Sequence, residues 1–239
     1  FRSTSIVDGT RRVLEYAERN GARRLLLTGS GAQYGAIPEG QPAAETSPLA
    51  CESHLARNIY GESKRMQEAL AAVYMQQSAI DVVMTRCFAF SGPGIALDGH
   101  FAIGNFVRDA LRGNGITLNS SGHAVRSYLH GADLAVWLLV LLGEGHAGQV
   151  YNVGSDLSLS IAELAELVRR RLAPGTPLHI LGRNDGPRSY YVPAIDAARA
   201  LGLAPWTRLQ DSIDAMAAWA RAEDHRFSSG PQMPSIAYR

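Results

Sequence analysis

Hydrophobic and polar positions follow two periods along this chain, and each period predicts an element. Residues 8–20 (DGTRRVLEYAERN) place Val13, Leu14 and Ala17 on one helical face, and Asn20-Gly21 supplies a stop. Residues 23–28 (RRLLLT) predict a short buried strand. Residues 36–50, rich in proline, glycine and small residues, predict a loop. Helix formers dominate from Tyr60 to Gln77, and Asp81 to Phe88 (DVVMTRCF) predicts a second buried strand. Helix, strand, loop, helix, strand is an α/β alternation that implies a mostly parallel sheet.

Beyond Ser91 the elements shorten. A loop (SGPGIALDGH) precedes a helix over 100–112 and a strand over 116–119. Ala132 to Leu142 is apolar almost all round and predicts a buried helix. Residues 151–153 predict a brief strand. Ser160-Ile-Ala-Glu163 is a capping box, and Leu159 and Leu164 are placed as its hydrophobic staple, for a helix ending near Leu172. A strand over 178–181 and helices over 194–201 and 208–222 follow. The tail after Arg226 is expected to be loosely ordered.

Composition narrows the function classes. The chain has 239 residues, 46% hydrophobic and 19% charged, enough for one large domain or two small ones. A net charge of +1 leaves no electrostatic footprint for nucleic acid. The longest apolar run, Ala135 to Leu142, is far short of a membrane span. Cys51 and Cys87 are too few for a disulfide framework, and no signal peptide is visible. Both features fit a reducing, cytoplasmic compartment. The first residue is Phe, and the chain starts inside a predicted helix, so an internal or incomplete start is expected.

The chemistry begins with a lysine. Of 23 basic residues, all are arginine except Lys64. An ammonium is a compact point charge that a guanidinium does not replace at a tight site. Lys64 follows Tyr60 by four residues on the predicted helix, so both side chains share a face. An ammonium beside a phenol favours its anion and suits it to acid–base work. Tyr–Lys pairs at this spacing are common on protein surfaces. What raises this one is that it uses the sole lysine.

The stretch LLLTGSGAQYG (25–35) carries glycines at 29, 31 and 35 and resembles a dinucleotide turn. Such a turn must open a helix, because the pyrophosphate sits on the helix N-terminus. Here AIPEGQPAAE follows, which excludes a helix. What remains is a strand delivering Ser30 at its carboxyl end, where ligands bind in open α/β sheets. An ordinary turn serine is the competing reading.

LLLTGSGAQYG, YGESK, TRCFAFSGPG, VRSYLHGADLA and YNVGS occur in order and spacing that resemble the extended short-chain dehydrogenases/reductases, the NAD-dependent epimerases and dehydratases of nucleotide sugars. The resemblance spans about residues 5–220. It implies a doubly wound Rossmann-type domain over 1–90, apparently lacking its first strands, and a smaller α/β substrate-binding portion over 91–239. Residues 131–172 are expected to pack back on the Rossmann sheet. The glycine-rich fingerprint, with the acidic residue for the adenine ribose, would lie before residue 1.

The same resemblance implies roles. Ser30, Tyr60 and Lys64 match the catalytic set: Tyr60 takes a proton from a sugar hydroxyl while hydride passes to NAD or NADP, Ser30 steers the reacting oxygen, and Lys64 holds the nicotinamide ribose. Thr28, Cys87 and Phe88 are expected near the cofactor. Cys87 in a buried strand is read as packing rather than as a nucleophile. Arg126 and Tyr128 match positions that contact a nucleotide diphosphate, and Arg guanidinium forks suit phosphate. Arg183 and Arg188 are weaker matches for a second phosphate contact. No metal is expected. Homodimers through the Tyr60 helix are common in that family, and Ala69, Ala72 and Val73 could form such a face or belong to the core.

Two departures bear on the reaction. The 4,6-dehydratases carry an Asp-Glu pair after the catalytic Thr, to eliminate water, whereas here Gly31 and Ala32 stand there. Many members place Asn two residues after the position of Cys87, at the nucleotide sugar, whereas here it is Ala89. The pattern implies an NAD(P)-dependent epimerase acting on a nucleotide-linked sugar through a keto intermediate. The alternatives are a reductase or dehydrogenase with net cofactor turnover, or a degenerate, cofactor-free binding protein of the same fold.

Overall fold

A computed structural model describes residues 2–48, 51–99, 101–113, 115–183 and 188–227. Helix α1 (Arg2–Arg19) leads through the left-handed Gly21 into strand β1 (Arg24–Ser30). Helix α2 (Ile59–Gln77) returns the chain to strand β2 (Asp81–Cys87). Strand β1 pairs in parallel with β2, running from Arg24 opposite Asp81 to Ser30 opposite Cys87. The backbones can approach there because residue 29 is glycine: a Cβ would lie 2.2 Å from the Thr85 carbonyl oxygen.

The next elements build a second, smaller layer. They are β3 (Phe90–Ser91), α3 (Ala102–Arg112), β4 (Ile116–Leu118), β5 (Val125–Ser127) and β6 (Leu129–His130). Helix α4 (Gly131–Glu144) and strand β7 (Val150–Val153) then come back to the first sheet. Its order is β1-β2-β7, parallel throughout, with Cys87 opposite Val153. Ser30, Cys87 and Val153 therefore end their strands in one row, and β1 takes an edge position.

Helices cover both faces of this sheet. Leu14 and Ala17 of α1 and Ala71 of α2 pack with Leu27, Val82 and Met84 on one side. Trp137 and Leu141 of α4 pack with Val83, Tyr151 and Val153 on the other. The Arg24 guanidinium donates to the Leu142 and Gly145 carbonyls, satisfying the carboxyl end of α4. Three layers around a parallel sheet are the Rossmann-type arrangement that the resemblance implied.

The remaining elements are β8 (Ser158–Ser160), α5 (Ile161–Leu172), β9 (Leu178–Ile180), β10 (Tyr190–Tyr191), α6 (Asp196–Arg199) and α7 (Leu209–Phe227). The capping box of α5 is complete: the Ser160 hydroxyl accepts from the Glu163 amide at 3.1 Å, and Glu163 accepts from the Ser160 amide at 2.7 Å. Leu159 and Leu164 both join the second core, where Ile103 and Val107 of α3 meet Val168 of α5 and Ile213 and Met216 of α7. Helix α4 and β7 return to the first sheet, whereas α5 belongs to this second core.

Some expectations change. Strand β1 runs two residues further than Thr28 and includes Ser30. Helix α6 is a single turn, not eight residues. Helix α4 is not buried all round, because Val136 and Leu139 remain 46% and 69% exposed. Only its Asp133, Trp137 and Leu141 face is covered by the elements packed on it. The two-residue strands β3, β6 and β10 are too short for any periodicity to reveal. Of the tail expected to be loose after Arg226, Phe227 ends α7, and the rest, from residue 228 onward, lies outside the described residues, as do 49–50 of the first loop.

Candidate active site

The carboxyl end of β1 does not open an α-helix. It enters a 3-10 turn (Gly31–Tyr34), and the Ser30 hydroxyl caps that turn by accepting from the Ala32 amide at 3.2 Å. This geometry agrees with reading LLLTGSGAQYG as a strand end rather than a dinucleotide loop. Helix α2 begins against the same turn. Gly61 allows the contact: a Cβ there would meet the Ala32 carbonyl oxygen at 2.7 Å and Cys51 Sγ at 3.0 Å. Tyr60, the neighbouring residue, is carried to the mouth of the strand ends.

A cavity of about 720 Å³ opens there. Ser30, Tyr60, Cys87, Phe88, Ala89, Arg126 and Tyr128 all line it. Seven of the residues expected at the site from sequence thus converge. Strand β1 supplies Ser30, α2 supplies Tyr60, the end of β2 supplies Cys87 and Phe88, and β5 supplies Arg126 with Tyr128 just beyond it. Tyr60 is 44% exposed and lines the cavity.

Arg126 lines the cavity from β5. Its guanidinium donates to the Ser189 carbonyl at 3.2 Å and the Ser189 hydroxyl at 3.1 Å, and lies 5.8 Å from the Tyr191 ring centroid. Among the described residues no carboxylate pairs with it. Burial lowers its pKa, and the nearby Tyr128 and Tyr191 phenols work the other way. Burial pushes the Tyr128 phenol up to about 12, so it stays protonated. Burial also raises the Cys87 thiol, although Thr85 and Lys64 pull it down. A thiol held protonated packs rather than attacks.

Lys64 and Thr28 lie together, beside the cavity rather than in its lining. The Lys64 ammonium donates to the Thr28 carbonyl at 2.8 Å and to Gln67 Oε1 at 3.1 Å. Half-burial lowers its pKa, opposed by attraction to Cys87. Arg188 is not brought to the cavity. It ion-pairs with Glu39 at 2.9 Å and donates to the His123 carbonyl at 2.6 Å. Arg183 is exposed and also outside the lining.

Beneath the cavity lies a polar network that sequence reasoning missed. Arg86, 5% exposed, forks onto Glu68 with two bonds of 2.9 Å. It also donates to the Tyr34 hydroxyl at 2.9 Å and stands 4.9 Å from that ring's centroid. Tyr34 donates onward to Asn152 Oδ1 at 2.8 Å. Burial opposes the Arg86 charge, but the bonds to Glu68 and Tyr34 outweigh it and hold the guanidinium above its ordinary value. The network ties the turn after Ser30 to α2, β2 and β7. Phe101, Ser120, Ile161 and Tyr191 also line the cavity unforeseen.

The family model for the NAD dependent epimerase/dehydratase family matches residues 4–154. UDP-glucuronic acid decarboxylase 6 of Arabidopsis thaliana is 30% identical over 225 residues, covering 94% of this chain and 63% of that protein. dTDP-glucose 4,6-dehydratase of an Actinoplanes species is 32% identical, covering 93% of this chain and 67% of that protein. The crystal structure of UDP-glucose 4-epimerase from Thermotoga maritima, with UDP-glucose, superimposes with a TM-score of 0.82 at 18% identity, over 92% of this chain and 71% of that one. The chain spans about 63% of the length of the first of these relatives. With the strand ends, the Tyr60–Lys64 helix and a model match over more than half its length, the chain belongs to the NAD-dependent epimerase/dehydratase family.

Proposed function

We propose that this protein is an NAD(P)-dependent epimerase acting on a nucleotide-linked sugar through a transient keto intermediate, with Tyr60 as acid and base. One observation carries the reading: an accessible phenol, a strand-end hydroxyl and a guanidinium that has no carboxylate partner among the described residues line a single cavity. The residues suit a nicotinamide cofactor at its ribose end, where the Lys64 ammonium and the Tyr60 phenol offer donors to a diol. When bound, the nicotinamide supplies acceptance and return of the hydride.

Tyr60 Oη takes the proton from the sugar hydroxyl and gives it back. Ser30 Oγ directs the reacting oxygen. Arg126 holds the diphosphate through its fork of donors. Phe101 and Ile161 supply apolar surface that excludes water. A homodimer through α2 is part of the same reading, supported by Met66, Ala69, Ala72 and Val73, which are all exposed along that helix.

The similarity to UDP-glucuronic acid decarboxylases favours a second reading. Gly31 and Ala32 offer no acid to expel water, which disfavours 4,6-dehydration. Loss of CO2 needs no such acid. Oxidation at the carbon beside the carboxyl-bearing one gives a β-keto acid; its C–C bond breaks with the electron pair taken up by the carbonyl, a solvent proton adds to the carbon that lost CO2, and the hydride returns to the ketone.

The test mixes the protein with NAD and a panel of nucleotide sugars that includes UDP-glucose and UDP-glucuronic acid. An epimer without accumulating NADH is the expected product. A nucleotide pentose with CO2 identifies the second reading. Steady NADH formation, or a 4-keto-6-deoxy sugar, contradicts both.

A further inference from the structure

Among the described residues that line the cavity, Arg126 alone carries a charge. A guanidinium has five N–H donors in a fixed plane, and three of those on Arg126 are engaged. Nη1 donates to the Val125 carbonyl at 2.7 Å and to the Ser189 carbonyl at 3.2 Å, and Nη2 donates to the Ser189 hydroxyl at 3.1 Å. Ser189 thus takes the end of the guanidinium, with one oxygen facing each terminal nitrogen. Among the described residues neither Nε nor the second Nη2 proton has a partner. These two N–H groups lie side by side on one edge of the plane. Two parallel donors of this kind receive two oxygens of one phosphate or carboxylate.

The surroundings fix which edge is offered. Arg126 lines the cavity, whereas Val125 and Ser189 do not. The bonded edges therefore turn to the backbone, and the unpartnered edge is left for the cavity. Ser189 is exposed, but its backbone is held. Its carbonyl accepts from the Val125 amide at 2.7 Å, and the residues after it run in parallel register with β5, Tyr191 opposite Arg126. Tyr190 also bridges to Ile37. One face of the guanidinium is covered as well. Its Cζ lies 5.8 Å from the centroid of the Tyr191 ring, which stacks on Phe88 with centroids 4.6 Å apart.

We propose that Ser189 is a positioning residue for oxyanion binding: by occupying the end of the Arg126 guanidinium, it presents the Nε–Nη2 edge to the cavity as one bidentate fork for a phosphate group. The proposed function supplies the identity of that oxyanion, a nucleoside diphosphate, and the inference rests on it to that extent. The neighbouring Arg188 does not share the task, because Glu39 and the His123 carbonyl hold it.

Ser189→Ala removes the hydroxyl and leaves the backbone bonds, and Ser189→Thr keeps a hydroxyl. The first measurement needs no ligand. In protein carrying nitrogen-15 arginine, the Arg126 side-chain signals are identified by their loss in Arg126→Lys. Rotation about the Cζ–Nη2 bond is expected to be slow in the unaltered protein and in Ser189→Thr, and fast in Ser189→Ala. Equal rotation in all three overturns the proposal. The second measurement is calorimetric titration with UDP and with uridine. Ser189→Ala is expected to bind UDP roughly fivefold more weakly, the scale of one hydrogen bond to a charged group at an exposed position. Uridine, which has no phosphate, should bind equally well to both, and Ser189→Thr should restore UDP binding. A loss that uridine shares, or that Ser189→Thr does not reverse, overturns a role through the hydroxyl. In an Arg126→Lys background Ser189→Ala should add nothing, and effects that multiply overturn a role through Arg126. If the unaltered protein binds UDP no better than uridine, the nucleotide-sugar reading has failed, and the rotation of Arg126 still decides whether Ser189 positions the fork.

Discussion

Tyr60→Phe is expected to lower kcat by roughly 10²–10⁴-fold, the usual contribution of a positioned acid or base. The substitution removes one oxygen and keeps the ring, so α2 and the 3-10 turn it abuts stay packed. Tyr60 is 44% exposed, and among the described residues its hydroxyl makes no hydrogen bond whose loss would disturb the fold. The proposed reading gives the nucleoside diphosphate to Arg126 on β5, away from α2, so affinity for it should stay within about twofold. Steady-state kinetics with calorimetric titration of UDP separate the two effects. Unchanged turnover removes Tyr60 from the mechanism. A parallel loss of UDP binding would mean that the ring, rather than its proton, holds the site together.

The largest expected effect on stability is at Glu68. Its carboxylate receives both arms of the Arg86 fork and a third bond of 3.0 Å from Gln33 Nε2. The two side chains are 13% and 6% exposed. Breaking a buried pair from one side leaves an uncompensated charge, which costs about 3–5 kcal/mol. Glu68→Ala should therefore lower the urea midpoint sharply, with a melting temperature reduced by roughly 6–20 °C for a chain of this size. Replacing both partners by apolar residues, Glu68→Leu with Arg86→Met, should cost much less, because no charge is stranded. A single-substitution cost below about 1 kcal/mol would show that water screens the pair. The same variant should loosen Ser30, since Gln33 and Tyr34 hang from this network.

These two residues mark what could and could not be read from the chain. Tyr60 was legible because a helical spacing and the sole lysine coincide. Ser30 was legible because an apolar strand ends on it, and the prolines behind it exclude a helix. The parallel sheet followed from the alternation of elements, and α5 from its capping box. Arg86 was not singled out, although a charge inside DVVMTRCF signals a buried partner. What pairs it, Glu68 on a different element, depends on the packing of α2 against β2, and no local pattern encodes that.

The second layer was legible in its helices and in β4 and β9, but not in its other strands. Strands of two or three residues carry too few positions for alternation, so β5 and β10 escaped notice, and Tyr191 with them. Arg126 was placed by resemblance alone, and the structure brings it to the cavity. Arg188 came with the same kind of match, and the structure pairs it with Glu39 instead. A surface loop offers many arginines an acidic neighbour, and sequence spacing does not choose among them. The exposed side of α4 is a similar case: uniform apolarity gives no direction, so the helix read as buried on all sides.

In the proposed reaction, hydride leaves a sugar carbon and returns to the same molecule while Tyr60 carries the proton. The most direct measurement uses the nucleotide sugar that the panel identifies, deuterated at the carbinol carbon, incubated with protein and NAD in ordinary water. Mass spectrometry of the product is expected to show the deuterium retained at that carbon, with no NADH accumulating at 340 nm. Deuterium exchanged into solvent, or a product that forms without breaking that carbon–deuterium bond, would contradict the account.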